Sequence, residues 1–96
     1  MQSTREVAIG QFVKSKAGRD RDRVFIVIDI IDELYVLIAD GDFRKMENAK
    51  KKKIKHLSKF NIVSEEIEKR YDSDKKISNM MLRREIEKLG FHKTQI

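Results

Sequence analysis

The residues of this chain that could do chemistry are mostly cations. Lys14, Lys16, Arg19, Arg21 and Arg23 lie close together, and Arg44, Lys45, Lys50, Lys51, Lys52, Lys53, Lys55 and Lys59 form a second group. The 16-residue window 44–59 holds eight Lys/Arg and one acid, Glu47, for a charge of +7; the other 80 residues sum to −1. Diffuse basicity would spread along the chain. Charge concentrated in one window reads as a contact surface for an anionic partner, although a solvated lysine-rich loop has the same composition. Arginine suits phosphate because its planar fork donates two parallel hydrogen bonds, whereas lysine is a mobile point charge that follows a phosphate backbone without reading bases. Asp20 and Asp22 alternate with the arginines. They either hold those side chains by local ion pairs or weaken the loop's attraction for phosphate.

Other chemistries find little support. His56 and His92 are the only near-neutral titrators. There is no cysteine, and no serine lies in a Gly-x-Ser-x-Gly elbow. No catalytic residues and no enzyme activity are therefore expected. His56, among lysines, can donate to RNA or simply lie on the surface; His92 is expected to be inert. Asp40 and Asp42 flank Gly41 without the later glutamate of a calcium loop, so they read as a turn that caps backbone amides rather than as a metal site. Gly18 and Gly41 build no phosphate-binding loop. No cofactor, metal or small-molecule substrate is expected.

These cations need elements to position them. Residues 1–8 lack a period and are expected to fray. A short strand is expected over 9–16, opened by Gly10, then a loop over 17–22 in which Gly18 supplies a positive φ. A strand over 23–31, apolar at almost every position, is followed by a tight turn at Asp32-Glu33 and a strand over 34–39. Asp40-Gly41-Asp42 is a second turn. Short strands are expected over 43–46 and 54–58, the latter anchored by Ile54 and Leu57. The lysine run between them reads as a flexible excursion. Five short strands joined by tight turns suggest a small barrel. Strands apolar on both faces need cover on both, and the C-terminal segment can provide it.

That segment reads as helical. Ser64 is a good N-cap ahead of Glu65, Glu66 and Glu68 in the first turn, and this helix should end near Tyr71. Ser73 or Asp74 is expected to cap a second helix over 75–89, with Ile77, Met80, Met81, Leu82, Ile86 and Leu89 on its apolar side. Gly90 is placed to end it, with Phe91 folding back. The methionine pair reads as adaptable core filling. The organisation expected is thus a flexible N-terminus over 1–8, a barrel over 9–60 and a helical extension over 61–96.

Size and composition set limits. Ninety-six residues make one small domain with a modest core. The lack of cysteine rules out disulfides and suits a reducing cytoplasm. Residues 1–20 carry no apolar run of the signal-peptide kind. The longest apolar stretch, 24–39, is broken by Asp29, Asp32 and Glu33 and is too short and charged to span a bilayer. Phe12, Phe25, Tyr35 and Phe43 fall in expected strands, where burial is the default, and none is interleaved with the lysines of 50–59. Single-strand binding needs exposed stacking platforms, so the pattern favours structured RNA recognised by shape and phosphate.

Residues 10–28 run from Gly10 through alternating strand residues to a basic loop around Gly18 and close on a β-branched strand. This stretch resembles the KOW motif. The pieces 35–45, with Asp40-Gly41, and 49–57, ending at Leu57, extend the likeness. Together they resemble the KOW-type large-subunit ribosomal proteins of archaea and eukaryotes, and small bacterial KOW-domain RNA-binding proteins. The resemblance covers residues 9–59. It implies a mainly β fold, an SH3-like five-stranded barrel, followed here by a C-terminal helical segment. It also implies non-catalytic binding of ribosomal or other structured RNA, or of the ribosome. By position, Lys16, Gly18, Arg19, Arg21 and Arg23 would face RNA, with Arg44, Lys45 and Lys50 to Lys55 beside them. Where many members carry a glycine, this chain has Asp22, which lessens the loop's positive potential. SH3-like barrels also bind peptides, so a protein-interaction module is the competing expectation; it requires an exposed aromatic groove at Phe12 or Tyr35.

Overall fold

The structure is a computed structural model and describes residues 3–90; Phe91 and His92 lie outside the described residues. Five antiparallel strands, β1 (Gln11–Ser15), β2 (Val24–Ile30), β3 (Tyr35–Ala39), β4 (Lys50–Lys53) and β5 (Leu57–Val63), form one sheet in the order β4-β3-β2-β1-β5. Two helices follow, α1 (Glu65–Asp72) and α2 (Asn79–Lys88).

β1, β2 and β3 lie within the ranges expected for them, with the Asp32 carboxylate closing the β2–β3 turn by accepting from the amides of Leu34 (2.8 Å) and Tyr35 (2.9 Å). The later strands differ from expectation. Residues 43–46 are not a strand. Asp40 Oδ1 accepts from the amides of Asp42 (3.0 Å) and Arg44 (2.7 Å), which holds this stretch in a turn. The lysine run, expected to be a flexible excursion, is β4, paired with β3 from Ile38↔Lys50 to Tyr35↔Lys53. Ile54–His56 is a 3-10 turn rather than the start of a strand. Its i, i+3 repeat puts Ile54 and Leu57 on one side, and both are buried.

That turn reveals how far the sheet bends. β1 and β3 both run antiparallel to β2, so Leu34 and Lys16 belong to opposite ends of a flat sheet. Yet the Ile54 amide donates to Leu34 O (2.8 Å) and the Lys16 amide to His56 O (2.8 Å). One 3-10 turn spans only about 6 Å. The sheet must therefore fold over on itself, and register shifts in β1–β5 and β2–β3 supply local twist. The sheet is not closed.

Both faces are covered, as strands without alternation require. On the concave side Val13, Phe25, Val27, Val36 and Ile38 pack with Val7, Ile54 and Leu57. On the other, Phe12, Val24, Ile26, Ile28 and Ala39 pack against Ile67 of α1, Ile77, and Leu82 and Ile86 of α2. Full burial of one such aliphatic side chain contributes about 1.5–3 kcal/mol, so the helices are part of the core. Residues 3–8, expected to fray, are tied down: the Thr4 amide donates to Glu33 O (2.9 Å), its hydroxyl to Asp32 O (2.7 Å), and Val7 is buried.

Ser64 caps α1 as expected, its hydroxyl accepting from the Ile67 amide and donating to Glu85 Oε1 (2.7 Å). α2 begins later than expected. Asp74 adopts φ +56° and Ser78 is the cap, accepting from Met81. Met80 and Leu89, expected on the apolar side, are exposed, and only Met81 of the methionine pair packs on the core. The first turn of α2 clamps the β3–β4 connection. Asn79 Oδ1 accepts from the Met46 amide (2.7 Å), and its Nδ2 donates to Glu47 Oε1 (2.7 Å). That bond is the main cause that lowers the Glu47 pKa. Gly41 has φ +80°, and a Cβ there would overlap the Asn79 carbonyl oxygen. Gly41→Ala is therefore expected to lower the melting temperature by at least about 5 °C in a circular dichroism melt. An unchanged melt would place α2 elsewhere.

Candidate nucleic-acid interface

The β1–β2 loop, residues 16–23, is fixed by its own backbone and by one buried acid. Gly18 takes φ +83°, as its position in the loop required. Asp22 also adopts a left-handed φ, +69°, a region Asp tolerates better than most residues. Asp22 thus holds a glycine-like backbone conformation, and its amide closes the loop onto Ser15 O (2.8 Å).

Asp20 decides how the loop carries charge. It neither pairs with the neighbouring arginines nor reaches solvent; it is 0% exposed. Oδ1 accepts from the Ser15 hydroxyl (2.9 Å) and from Lys52 Nζ (3.1 Å). Lys50 Nζ lies 3.3 Å from Oδ2, an ion pair without hydrogen-bond geometry. Burial pushes the Asp20 carboxyl up. The hydrogen bonds from Lys52 and Ser15, the Lys52 charge and Lys50 together outweigh that, and hold its pKa below the ordinary aspartate value. Lys52 also donates to Ala17 O (3.0 Å), and its side chain is only 8% exposed. The pleat explains the split in the lysine run. Lys50 and Lys52 share the face of their partners Ile38 and Val36, toward Asp20. Lys51 and Lys53 share the opposite face with Leu37 and Tyr35.

The expected site residues therefore separate. Lys16, Gly18, Arg19 and Arg21 are exposed on the loop. The Lys16–His56 backbone bond joins that loop to the 54–56 turn, which carries exposed Lys55 and half-buried His56. Lys50, partly exposed, sits at the seam, while Lys52 is turned inward and offers no free charge. Arg23 and Arg44 gather around Phe43, with Cζ 4.1 Å and 5.7 Å from its ring centroid. Lys51 and Lys53 flank Tyr35, at 4.6 Å and 6.0 Å. Half-buried Lys14 lies opposite Val24 and Ser58 on the helix-side face, and Lys45 is exposed just before the Met46–Asn48 turn.

Two site features escape the sequence reading. The buried Asp20 node depends on contacts more than 30 residues apart along the chain. Phe43, expected to be buried in a strand, is 44% exposed in a turn. Its setting after Asp-Gly-Asp and before Arg44 was the available signal.

No family model matches the chain. The chain is 31% identical over 71 residues to the "Putative ribosome-binding protein YbzG" of Bacillus subtilis (strain 168), an alignment covering 74% of this chain and 96% of that protein.

Proposed function

The chain belongs to the family of the Bacillus subtilis protein YbzG, and from that premise we propose that it is a non-catalytic, ribosome-associated protein that binds structured ribosomal RNA. The contact is the β1–β2 loop with the adjoining 54–56 turn. Lys16, Arg19, Arg21 and Lys55 face the phosphates, and Lys50 and His56 lie at the margin. We read the curled sheet, with its 3-10 turn between β4 and β5, as a KOW-type SH3-like barrel, and the protein as cytoplasmic.

One observation carries this reading. Of the two acids placed between the loop's arginines, Asp22 stays exposed, and Asp20 is drawn inside by Lys52 and Lys50. Its negative charge is thereby compensated internally, while the loop's cations stay exposed on a backbone held at both ends. A preorganised cationic loop loses less entropy on docking. The peptide-binding alternative finds less support, because Phe12 is 1% exposed and Tyr35 lies under Lys51 and Lys53.

The test is co-sedimentation of the purified protein with ribosomes through sucrose gradients of rising salt. The protein should travel with ribosomes at low salt. With about five phosphates neutralised, log affinity should fall against log salt with a slope of roughly −3.5 to −4.5. A protein that stays at the top of the gradient at low salt would contradict the proposal.

A further inference from the structure

Resting on the RNA-binding reading, we infer that Phe43, with Arg23 and Arg44, is a stacking platform that takes one unpaired base of the bound RNA. The phosphate contact is thus accompanied by recognition of a bulged or looped nucleotide. In the sequence, the aromatics offered no such platform.

Phe43 is a large apolar side chain, 44% exposed, in a turn that has no need of an aromatic. Arg23 lies over its ring and Arg44 stands farther off. Arg23 covers one side of the ring, and unlike a lysine ammonium its planar guanidinium offers a base its own outer side, so a base can stack there or on the uncovered part of Phe43, through π contact and cation–π attraction. Arg23 also ends the basic loop, so a base on Phe43 and phosphates on Arg21 and Arg19 fit one continuous strand. The exposed carboxylate of Asp42, next to Phe43, disfavours a phosphate at this spot. A neutral base is the part of a nucleotide that tolerates it.

The platform is also rigid. Asp40 Oδ1 caps the amides of Asp42 and Arg44. The amides of Asp40 and Gly41 both donate to Arg44 O, at 2.9 Å and 3.0 Å. Arg83 of α2 donates to Gly41 O (2.6 Å), and Asn79 grips the segment just beyond. This gives the C-terminal helices a second task besides covering the sheet: they hold the aromatic turn in place.

The experiment compares two RNA hairpins identical except for one unpaired adenosine, by filter binding. Wild-type protein should bind the bulged hairpin more tightly by roughly 5- to 150-fold. Phe43→Leu, at an exposed position, should fold normally by circular dichroism, lose that preference and keep its salt slope; Phe43→Trp should keep the preference. Equal affinity of the wild type for both hairpins, or a preference that survives Phe43→Leu, overturns the platform while leaving the RNA-binding reading intact. If Phe43→Leu weakens ribosome co-sedimentation without any bulge preference in the wild type, the patch faces a ribosomal protein and the inference is overturned. Failure to bind either hairpin is failure of the underlying reading, and the platform falls with it.

Discussion

Asp20→Ala should lower the free energy of unfolding by about 3–5 kcal/mol, because it leaves the Lys52 ammonium buried without its counter-charge. A domain of this size has only about 5–15 kcal/mol in all, so the variant should lose a large share of it. The second variant is Asp20→Leu with Lys52→Met, which removes both charges and should recover much of the loss. The effect also has a pH signature. The folded-state pKa of Asp20 is depressed. Its stabilisation is therefore fully present above the unfolded-state value, near pH 4, and disappears as pH falls through the lower folded value. Urea titrations across acidic pH should show wild-type stability declining in that window, with a shallower decline in the double variant. If Asp20→Ala loses less than about 0.5 kcal/mol at neutral pH, the buried node does not hold the loop.

The second large effect concerns affinity. Replacing Lys16, Arg19, Arg21 and Lys55 together by glutamine removes four exposed cations without touching the Asp20 node. Each phosphate contact contributes about 0.9 to the salt slope on duplex, so losing four should flatten it by about 3 to 4. At 0.1 M salt, the corresponding loss of affinity is about a thousandfold. Thermal melts should stay close to wild type. An unchanged slope would remove the loop from the contact. The lysine strand makes a poorer test as a block. Neutralising all of β4 would also remove Lys52, and lost affinity could then reflect a damaged fold. Lys51→Gln with Lys53→Gln is the cleaner variant for that strand.

What the sequence concealed follows a physical pattern. Local signals survived: the aliphatic runs of β2 and β3, the cap at Ser64, and the left-handed Gly18 and Gly90, the latter at φ +75°. β4 was hidden because four identical lysines show no alternation, although their ammonium groups point to opposite faces. The 54–56 turn reads as a strand because two apolar anchors suit either structure, and only their spacing of three favours a 3-10 turn. The start of α2 is ambiguous in the sequence because Ser73, Asp74 and Ser78 are all acceptable caps. Tertiary contacts choose Ser78, whose neighbour Asn79 grips the β3–β4 connection. The basic window itself was plain in the sequence. Its division into exposed cations, an inward pair and two aromatic clusters was not, since that depends on Asp20 meeting a strand far along the chain.

The central claim is that the β1–β2 loop and the 54–56 turn together meet ribosomal RNA. Ultraviolet crosslinking of the protein to ribosomes, with mass spectrometry of the protein–RNA adducts, tests it most directly. The account predicts RNA adducts on peptides spanning residues 16–23 and 50–56, with a further adduct at Phe43. RNA adducts confined to the outer surface of α1 and α2, or crosslinks to ribosomal proteins alone, would contradict it.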